Sequence, residues 1–518
     1  MRKLLFILLI LLALLSITAV SANDNATDIV MKEDNGVSLE EMEDNGDEII
    51  TQKQDTGADV VNANESSSSV TKTSSKIQAS NIKGYESFTT TLKIKLTSNG
   101  TILTSKPVKI VLNDITYNKK TDKNGEVNLK LSLSKGEYEA KITYDGDNLT
   151  KKASKTCKIT IDSPIKTTLK IVDKNINYRQ GSKCLFYVKL QAGGKGVKNQ
   201  VVTFKVAGKT YTAKTNKYGN AKIFLNLKKG THKVKYSFKK NAPYLSSSGS
   251  FKIKVKAKMS KGNGYWLWSS HMKSINLKSL AKKGTKHILL HAYALTEYGK
   301  SSVVSFIKKA HRYGMKVHLW MQVCYTGKWV SPMNKKTNTI KYGFLNAKIK
   351  EALRYSKIPC VDGVHFDYVR FGGTAHLYKN AEKSINYFIK HAAVKIHKAR
   401  PNCIVSAALM PEPSMMSYYY GQDVPTMSKY LDSLIPMVYK GNYHQKTSWI
   451  KSVTKTFTVQ SNGAQIWTGL QSYHSDSNVA KLTQSSLLKD AKAAKKGGAY
   501  GVILFRYGIS CNFNFKKV

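Results

Sequence analysis

Along the 518-residue chain the spacing of apolar side chains changes character three times. Behind Arg2 and Lys3 the run Leu4 to Leu15 is unbroken and apolar, and it exits through Val20-Ser21-Ala22. That layout predicts a secretory signal peptide over 1–22, with an uncleaved membrane anchor as the alternative for so long an apolar run. Between 23 and 76 large apolar side chains are few, and stretches such as EDNGVSLEEMEDNGDEI and NESSSSVTKTSS are acidic or rich in Ser and Thr. Such a segment buries too little surface to offset its ordering entropy, so a disordered acidic stalk is expected. Period-2 alternation then governs 77–258. From Gly264 it gives way to short apolar runs separated by segments with helical spacing.

The alternating region is an internal duplication. KPVKIVLNDITYNKKTDKNGEVNLKLSLSKGEYEAKITY recurs as NQVVTFKVAGKTYTAKTNKYGNAKIFLNLKKGTHKVKYSF, with Thr121, Gly125, Gly136 and Tyr144 answered by Thr215, Gly219, Gly230 and Phe238. Short strands broken by Asn-Gly and Lys-Gly turns predict two antiparallel β-sandwiches of the immunoglobulin class, 77–163 and 164–258. Through the K-T-[DN]-K-x-G and K-G-x-[YH] motifs they resemble the bacterial immunoglobulin-like repeats of adhesin-like surface proteins. The resemblance implies spacers that also have scope to bind wall polymer. Asn25, Asn64, Asn99 and Asn148 stand in glycosylation sequons, in keeping with a surface location.

In 259–518 eight runs qualify as strands: GYWLWSS, HILLHAYA, KVHLWMQVCY, VDGVHFDYVRF, CIVSAALMPE, SLIPMVY, AQIWTGLQSY and GVILFRYG. Helical spacing lies between them, as in KSINYFIKHAAVKIHKARP and SSLLKDAKAAKKGG. Eight alternations in a segment of this size predict a (β/α)8 TIM barrel. A doubly wound sheet ranks lower because no Gly-rich phosphate loop follows the first strand. The chain is thus expected to be multidomain: two all-β immunoglobulin-like sandwiches, then an α/β TIM barrel. A polar linker before Gly264, and repeats that own their cores, also predict a barrel that folds alone from about Lys258.

Charge adds a partner class. The net charge is +50 despite the acidic stalk, so the folded body is strongly basic and a polyanionic neighbour is expected, such as an anionic wall polymer or acidic glycan. Export and the lack of a nucleic-acid-binding motif count against nucleic acid. No segment after residue 22 is apolar enough to span a bilayer, so membrane contact is expected only through the N-terminal signal or anchor, and the protein is expected to be secreted or held at the cell surface. The six cysteines (157, 184, 324, 360, 403 and 511) show no C-x-x-C spacing, which excludes zinc-ribbon and redox motifs. Neither a metal nor another cofactor is expected.

Candidate chemistry concentrates in VDGVHFDYVRF, where His365, Asp367 and Arg370 sit near the C-terminal end of the fourth strand, the end that carries catalytic groups in such barrels. DGVHFDYVRF, then GQDVPTMSKYLDSLIPMVY at 421–439, then GVILFRYG resemble a family of glycoside hydrolase barrels marked by D-G-x-x-F-D-Y-x-R-F and G-Q-D…P-M-x-Y, distant relatives of the family 18 chitinase-like barrels. The resemblance implies a glycoside hydrolase and matches Tyr439 to the tyrosine of P-M-x-Y. Val369 stands where family 18 has its catalytic Glu, so substrate-assisted chemistry is not expected.

Glycoside hydrolysis needs two carboxyl groups flanking the bond. Of the ten acidic residues in the barrel segment, Asp367, Glu412, Asp423, Glu297 and Asp476 are expected at the rim. Asp367 is read as nucleophile or charged partner, kept ionised by Arg370 and His365. Glu412, between Pro411 and Pro413 and near Met410, Met415 and Met416, is read as the acid, its pKa raised by apolar surroundings. Trp266, Trp268, His291, Tyr293, Trp320, Gln322, Tyr439, Trp467, Tyr473 and Arg506, with His365, Arg370 and Asp423, are the expected sugar contacts. Aromatic residues at so many strand ends argue for a ligand, since barrel interiors are usually filled by branched aliphatics. The rival readings are a glycan-binding adhesin without catalysis, a cysteine peptidase using Cys324, Cys360 or Cys403, and a metal-dependent deacetylase built on His291, His318, His365 and Asp367.

Overall fold

The computed structural model describes residues 71–518, so the signal peptide and nearly all of the stalk lie outside the described residues. The stalk's expected end at 76 moves back. Thr73 already bridges Thr150, and Ser75–Ala79 pairs with Thr90–Ser98, because Ile77 has a place in the core.

Each repeat contributes a four-stranded and a five-stranded sheet around one core. In the first, Leu92, Ile94 and Leu96 of one sheet meet Ile110, Ile142 and Ile159 of the other. In the second, Phe186 and Val188 meet Phe204, Val234 and Ile253. The duplicated residues hold duplicated turns. Gly125 and Gly219 sit at φ 70° and 80°, and a Cβ on them would stand 2.9 and 2.4 Å from the carbonyl oxygens of Leu96 and Leu190. Oγ1 of Thr121 and of Thr215 accepts the N–H of Lys106 and of Gln200.

Eight parallel strands close into a barrel: β1 (Gly264–Leu267), β2 (His287–His291), β3 (Lys316–Gln322), β4 (Gly363–Asp367), β5 (Ile404–Leu409), β6 (Ser433–Pro436), β7 (Gln465–Gln471) and β8 (Gly501–Phe505). Every run expected to be a strand is one. The helices are α1 (Leu277–Lys282), α2 (Ala294–Arg312), α3 (Tyr342–Ser356), α4 (Ala381–Ala399), α5 (Met416–Tyr420), α6 (Val424–Met427), α7 (Thr447–Gln460) and α8 (Gln484–Lys496). Their apolar faces, such as Ile385, Phe388, Ile389, Ala392 and Ile396 of α4, pack on the outside of the strands.

The barrel interior departs from an aliphatic filling. Trp467 packs against His287, ring centroids 4.5 Å apart, and His287 Nδ1 lies 2.9 Å from His318 Nε2. Above them Trp266 Nε1 donates to His365 Nε2 at 3.1 Å, so the ring's other nitrogen donates to Ser406 Oγ. Burial holds His365 neutral, its pKa well below the usual imidazole value. Aromatic residues on these strands are therefore core as well as rim. Their abundance alone does not signal a ligand.

The second repeat docks on the bottom of the barrel, at the N-terminal ends of its strands. Asp432, which precedes β6 and is fully buried, accepts from Arg179 Nε and Nη2 at 2.9 and 2.7 Å and from Asn177 Nδ2 at 2.8 Å. Its other oxygen takes His397 Nε2 and the Val405 N–H, both at 2.9 Å. Asp173 adds bonds from Tyr430 and Lys390, and Leu185 N–H bonds the Asn462 carbonyl. This interface bears directly on the expected independence of the barrel. Its bottom face carries a buried carboxylate whose counter-charges Lys256 and Arg179 both belong to the preceding repeat.

Candidate active site

Asp367 is the last residue of β4 and is buried. Its Oδ2 accepts from Trp320 Nε1 at 3.0 Å and its Oδ1 from the Tyr368 N–H at 2.7 Å. Tyr368 holds a positive φ of 49°, a costly conformation for a bulky residue, immediately after the carboxylate. Burial raises the Asp367 pKa; the Tyr368 N–H, Arg370 and Trp320 oppose the rise without cancelling it. The expectation that Arg370 and His365 keep Asp367 ionised needs correction. His365 is committed to Trp266 and Ser406, and Arg370 acts only through its field.

Arg370 instead lies among ring faces, 4.8 Å from the centroid of Trp329, 5.3 Å from Tyr368 and 5.6 Å from Tyr420. Its Nη1 donates to the Phe371 carbonyl, and its buried Nε has no partner. Its charge is felt by both candidate carboxyls.

Glu412 follows β5 in the loop to α5. Its Oε1 accepts from Tyr443 Oη at 2.6 Å and from Tyr420 Oη at 3.3 Å, while the buried Oε2 has no partner. Burial raises its pKa above the usual carboxylate range, against the pull of the two tyrosine hydroxyls and Arg370. The direction matches expectation, but the surroundings differ. Two tyrosines, rather than the neighbouring methionines, make the polar contacts.

The remaining expected contacts divide by depth. Trp268, His291, Tyr293, Gln322, Tyr439 and Arg506 line the upper end with some exposure. Trp268 packs on His291 and Trp320 at 4.6 and 4.8 Å and lies under Arg506 at 5.9 Å, and Tyr439 stacks on Phe505 at 5.5 Å. Tyr473 is buried beside them and donates to Asp476. Trp266, Trp467 and His365 are at most 1% exposed and packed inside the barrel, so they are not ligand contacts. Trp320 is equally buried and meets the site through its bond to Asp367 and its packing against Trp268 and His291. Asp423 is also withdrawn: it caps α6 through the Thr426 N–H and faces Asn386 of α4.

Its neighbour Gln422 has a structural role that the sequence did not suggest. Fully buried, it accepts from the Met410 N–H at 3.0 Å and donates to the carbonyls of Val369 and Ala408, clamping the ends of β4 and β5 that carry the two carboxyls. Gln422→Ala should lower unfolding stability by about 1–3 kcal/mol, measured by denaturant titration, because buried polar groups lose their partners. Tyr325, Trp329, Tyr420 and Tyr443 were not anticipated. Tyr325, Trp329 and Tyr443 lie in loops and Tyr420 ends the short α5, where no periodicity marks a residue, though the YYY run at 418–420 is a compositional cue.

The rival chemistries lack a site. Burial pushes the thiols of Cys324 and Cys403 up to about 12, which disqualifies them as nucleophiles at neutral pH. His318 is paired with His287 below His365, away from Asp367. Among the described residues no group of three or more His, Cys, Asp or Glu side chains is placed to hold a metal ion.

Fold and site together define a closed (β/α)8 barrel with a buried carboxyl at the end of β4 and a half-buried one just after the end of β5. No protein-family model matches the chain, and no curated protein matches it. Among solved structures it is similar to the PgaB (BpsB) glycoside hydrolase domain from Bordetella bronchiseptica, with a TM-score of 0.39 and 10% identity over 48% of this chain and 94% of that one. The spore cortex-lytic enzyme SleL of Bacillus megaterium QM B1551 gives 0.35 and 11% over 51% and 75%. Catalytic domain 2 of the Group II chitinase of Ostrinia furnacalis gives 0.34 and 11% over 47% and 89%. Likeness this slight assigns no activity, which has to rest on the side chains.

Proposed function

We propose that the barrel hydrolyses glycosidic bonds in a cell-wall or extracellular polysaccharide, with Asp367 as nucleophile or charged partner and Glu412 as proton donor. The observation that carries this reading is the contrast in hydrogen bonding between a buried and a half-buried carboxyl at neighbouring strand ends. Asp367 has an N–H donor on each oxygen, an arrangement that favours its anion. Glu412 has hydroxyls on one oxygen only, which leaves Oε2 to carry the proton that a leaving oxygen needs. Arg370, between ring faces, steadies negative charge passing from one carboxyl to the other. Trp268, Tyr439 and Arg506 supply the stacking and hydrogen-bonding surface that a sugar requires. In this reading the signal peptide, the stalk and the immunoglobulin-like repeats present the barrel at the cell surface.

The signs of the two shifts set the pH profile. Turnover needs Asp367 ionised, so it falls as pH drops through a pKa that burial has raised. It needs Glu412 protonated, so it falls again as pH climbs through the second raised value. A bell displaced above the ordinary carboxylate range is expected in kcat/KM against pH. Glu412→Gln should lose the alkaline limb and about 10²–10⁴-fold in rate on the natural polymer, and less on aryl glycosides whose leaving groups need little acid help. Full rate with an unchanged alkaline limb rejects Glu412 as the donor. A wild-type protein that binds polysaccharide but releases no reducing ends is a glycan-binding surface protein, not a hydrolase.

A further inference from the structure

We infer that the outer face of the five-stranded sheet in the second repeat is a docking surface for a linear, carboxylate-bearing polysaccharide, separate from the barrel's own site. Lys205, Lys233, Lys235, Lys252 and Lys254 project from three adjacent strands of that face, all exposed. The register sets Lys205 directly opposite Lys235, and Lys233 directly opposite Lys252. Like charges so placed destabilise a sheet. None of the five is in an ion pair among the described residues.

The first repeat serves as an internal control. At the positions of Lys205, Lys233 and Lys254 it has Val111, Glu139 and Thr160, and there Glu139 sits opposite Lys158, which is paired with Glu137 at 2.8 Å. The same sheet therefore forms with balanced charge, so the repulsive set in the second repeat is not a requirement of the fold. Acidic residues are correspondingly scarce: 164–258 has one, Asp173, and it is spent on the barrel interface through Tyr430 and Lys390.

Lysines rooted on a sheet whose strands lie about 4.8 Å apart, with same-face residues about 7 Å apart along each strand, present a regular array of positive charge that suits a chain with regularly spaced anions. The strand bearing Lys252 and Lys254 ends at Lys256, whose Nζ lies 3.8 Å from the buried Asp432, so the face is carried on the barrel as part of one body. Polymer held there is tethered close to the barrel, which raises its effective concentration. That the polyanion is a polysaccharide, rather than nucleic acid or a lipid surface, rests on the hydrolase reading.

The test uses the full chain and the double variant Lys233→Glu/Lys254→Thr, which installs the residues of the first repeat. Lys205→Val, likewise borrowed from the first repeat, is the second variant. Polygalacturonate is the probe, with hydroxyethyl cellulose, duplex DNA and phosphatidylserine vesicles as comparators. The double variant should bind polygalacturonate about tenfold more weakly at physiological salt and with a shallower salt dependence, and Lys205→Val should shift both in the same direction. KM for polymer should rise while kinetics on a short aryl glycoside stay unchanged. Unaltered polygalacturonate binding in both variants, or equal binding of the neutral polymer, overturns the proposal. Tighter binding of DNA or vesicles through the same lysines overturns the choice of polysaccharide. Lysine-dependent polygalacturonate binding without any release of reducing ends upholds the surface and rejects only the hydrolase reading.

Discussion

Asp367→Asn is expected to abolish polysaccharide turnover, by about 10⁴-fold, while leaving glycan binding within a few-fold of wild type. The substitution keeps the shape of the side chain and removes only the charge that the reaction uses, so kcat should collapse and KM should barely move. It should also change the pH dependence of stability. Burial raises the folded-state pKa of Asp367, so the stability contributed by its protonated form is fully present below the unfolded value and is lost as pH rises through the folded one. Asn does not titrate, so that loss disappears from the variant. Its Nδ2 does, however, confront one of the two N–H donors now facing the carboxylate, from Trp320 or Tyr368, and this costs stability at every pH. The difference in Tm between variant and wild type should therefore move in favour of the variant between acid and neutral pH. A difference that is flat with pH would show that Asp367 has the same pKa in the folded and unfolded protein, and would remove the basis for its assigned environment.

Severing the second repeat from the barrel should be nearly as damaging, far from any catalytic group. In Arg179→Ala the fully buried Asp432 loses two charge-assisted hydrogen bonds, and the expected cost is about 3–5 kcal/mol, read as a fall in Tm and in the denaturant midpoint. Burial by itself would raise the Asp432 pKa, but Lys256, Arg179 and His397 together outweigh it and hold the group well below the usual carboxylate value. Stability from this cluster is accordingly present above the unfolded pKa and is lost as pH falls through the depressed one, the opposite sign to Asp367. The isolated segment 259–518, which lacks Arg179, Asn177 and Lys256, should be poorly soluble or unfold early, and Asp432→Asn within it should recover part of the loss. A change of less than about 0.5 kcal/mol in Arg179→Ala would place the interface among ordinary surface contacts.

The candidate site was legible in part. Asp367 and Glu412 emerged by elimination because a basic barrel has few carboxyls, and a strand's end is readable from its own run. Depth was not readable: Trp266, Trp268, Trp320 and Trp467 all stand on strands, yet only Trp268 has appreciable exposure, because the layer a residue occupies depends on how far each strand is staggered against its neighbours. Asp423 and Gln422 are adjacent in one motif; the first was expected as a sugar contact and caps a helix instead, and the second was given no role and clamps two strand ends. A helix cap and a clamp on two strand ends look alike until the partners, Thr426 and Asn386 for one, Met410, Val369 and Ala408 for the other, are in place.

Periodicity was sufficient for the elements themselves, since alternation and helical spacing are local consequences of which face each segment must bury. The duplication, the eight barrel strands and the positions of the two carboxyls along their segments were all determined by the sequence alone. Tertiary structure alone decided which groups meet. Arg179 and Asp432 are 253 positions apart, Trp320 and Asp367 come together only when β3 and β4 pair in register, and the facing lysines of the second repeat face each other only because its strands align as they do. Electrostatics depends on distance and burial in space, and neither is a property of position along the chain.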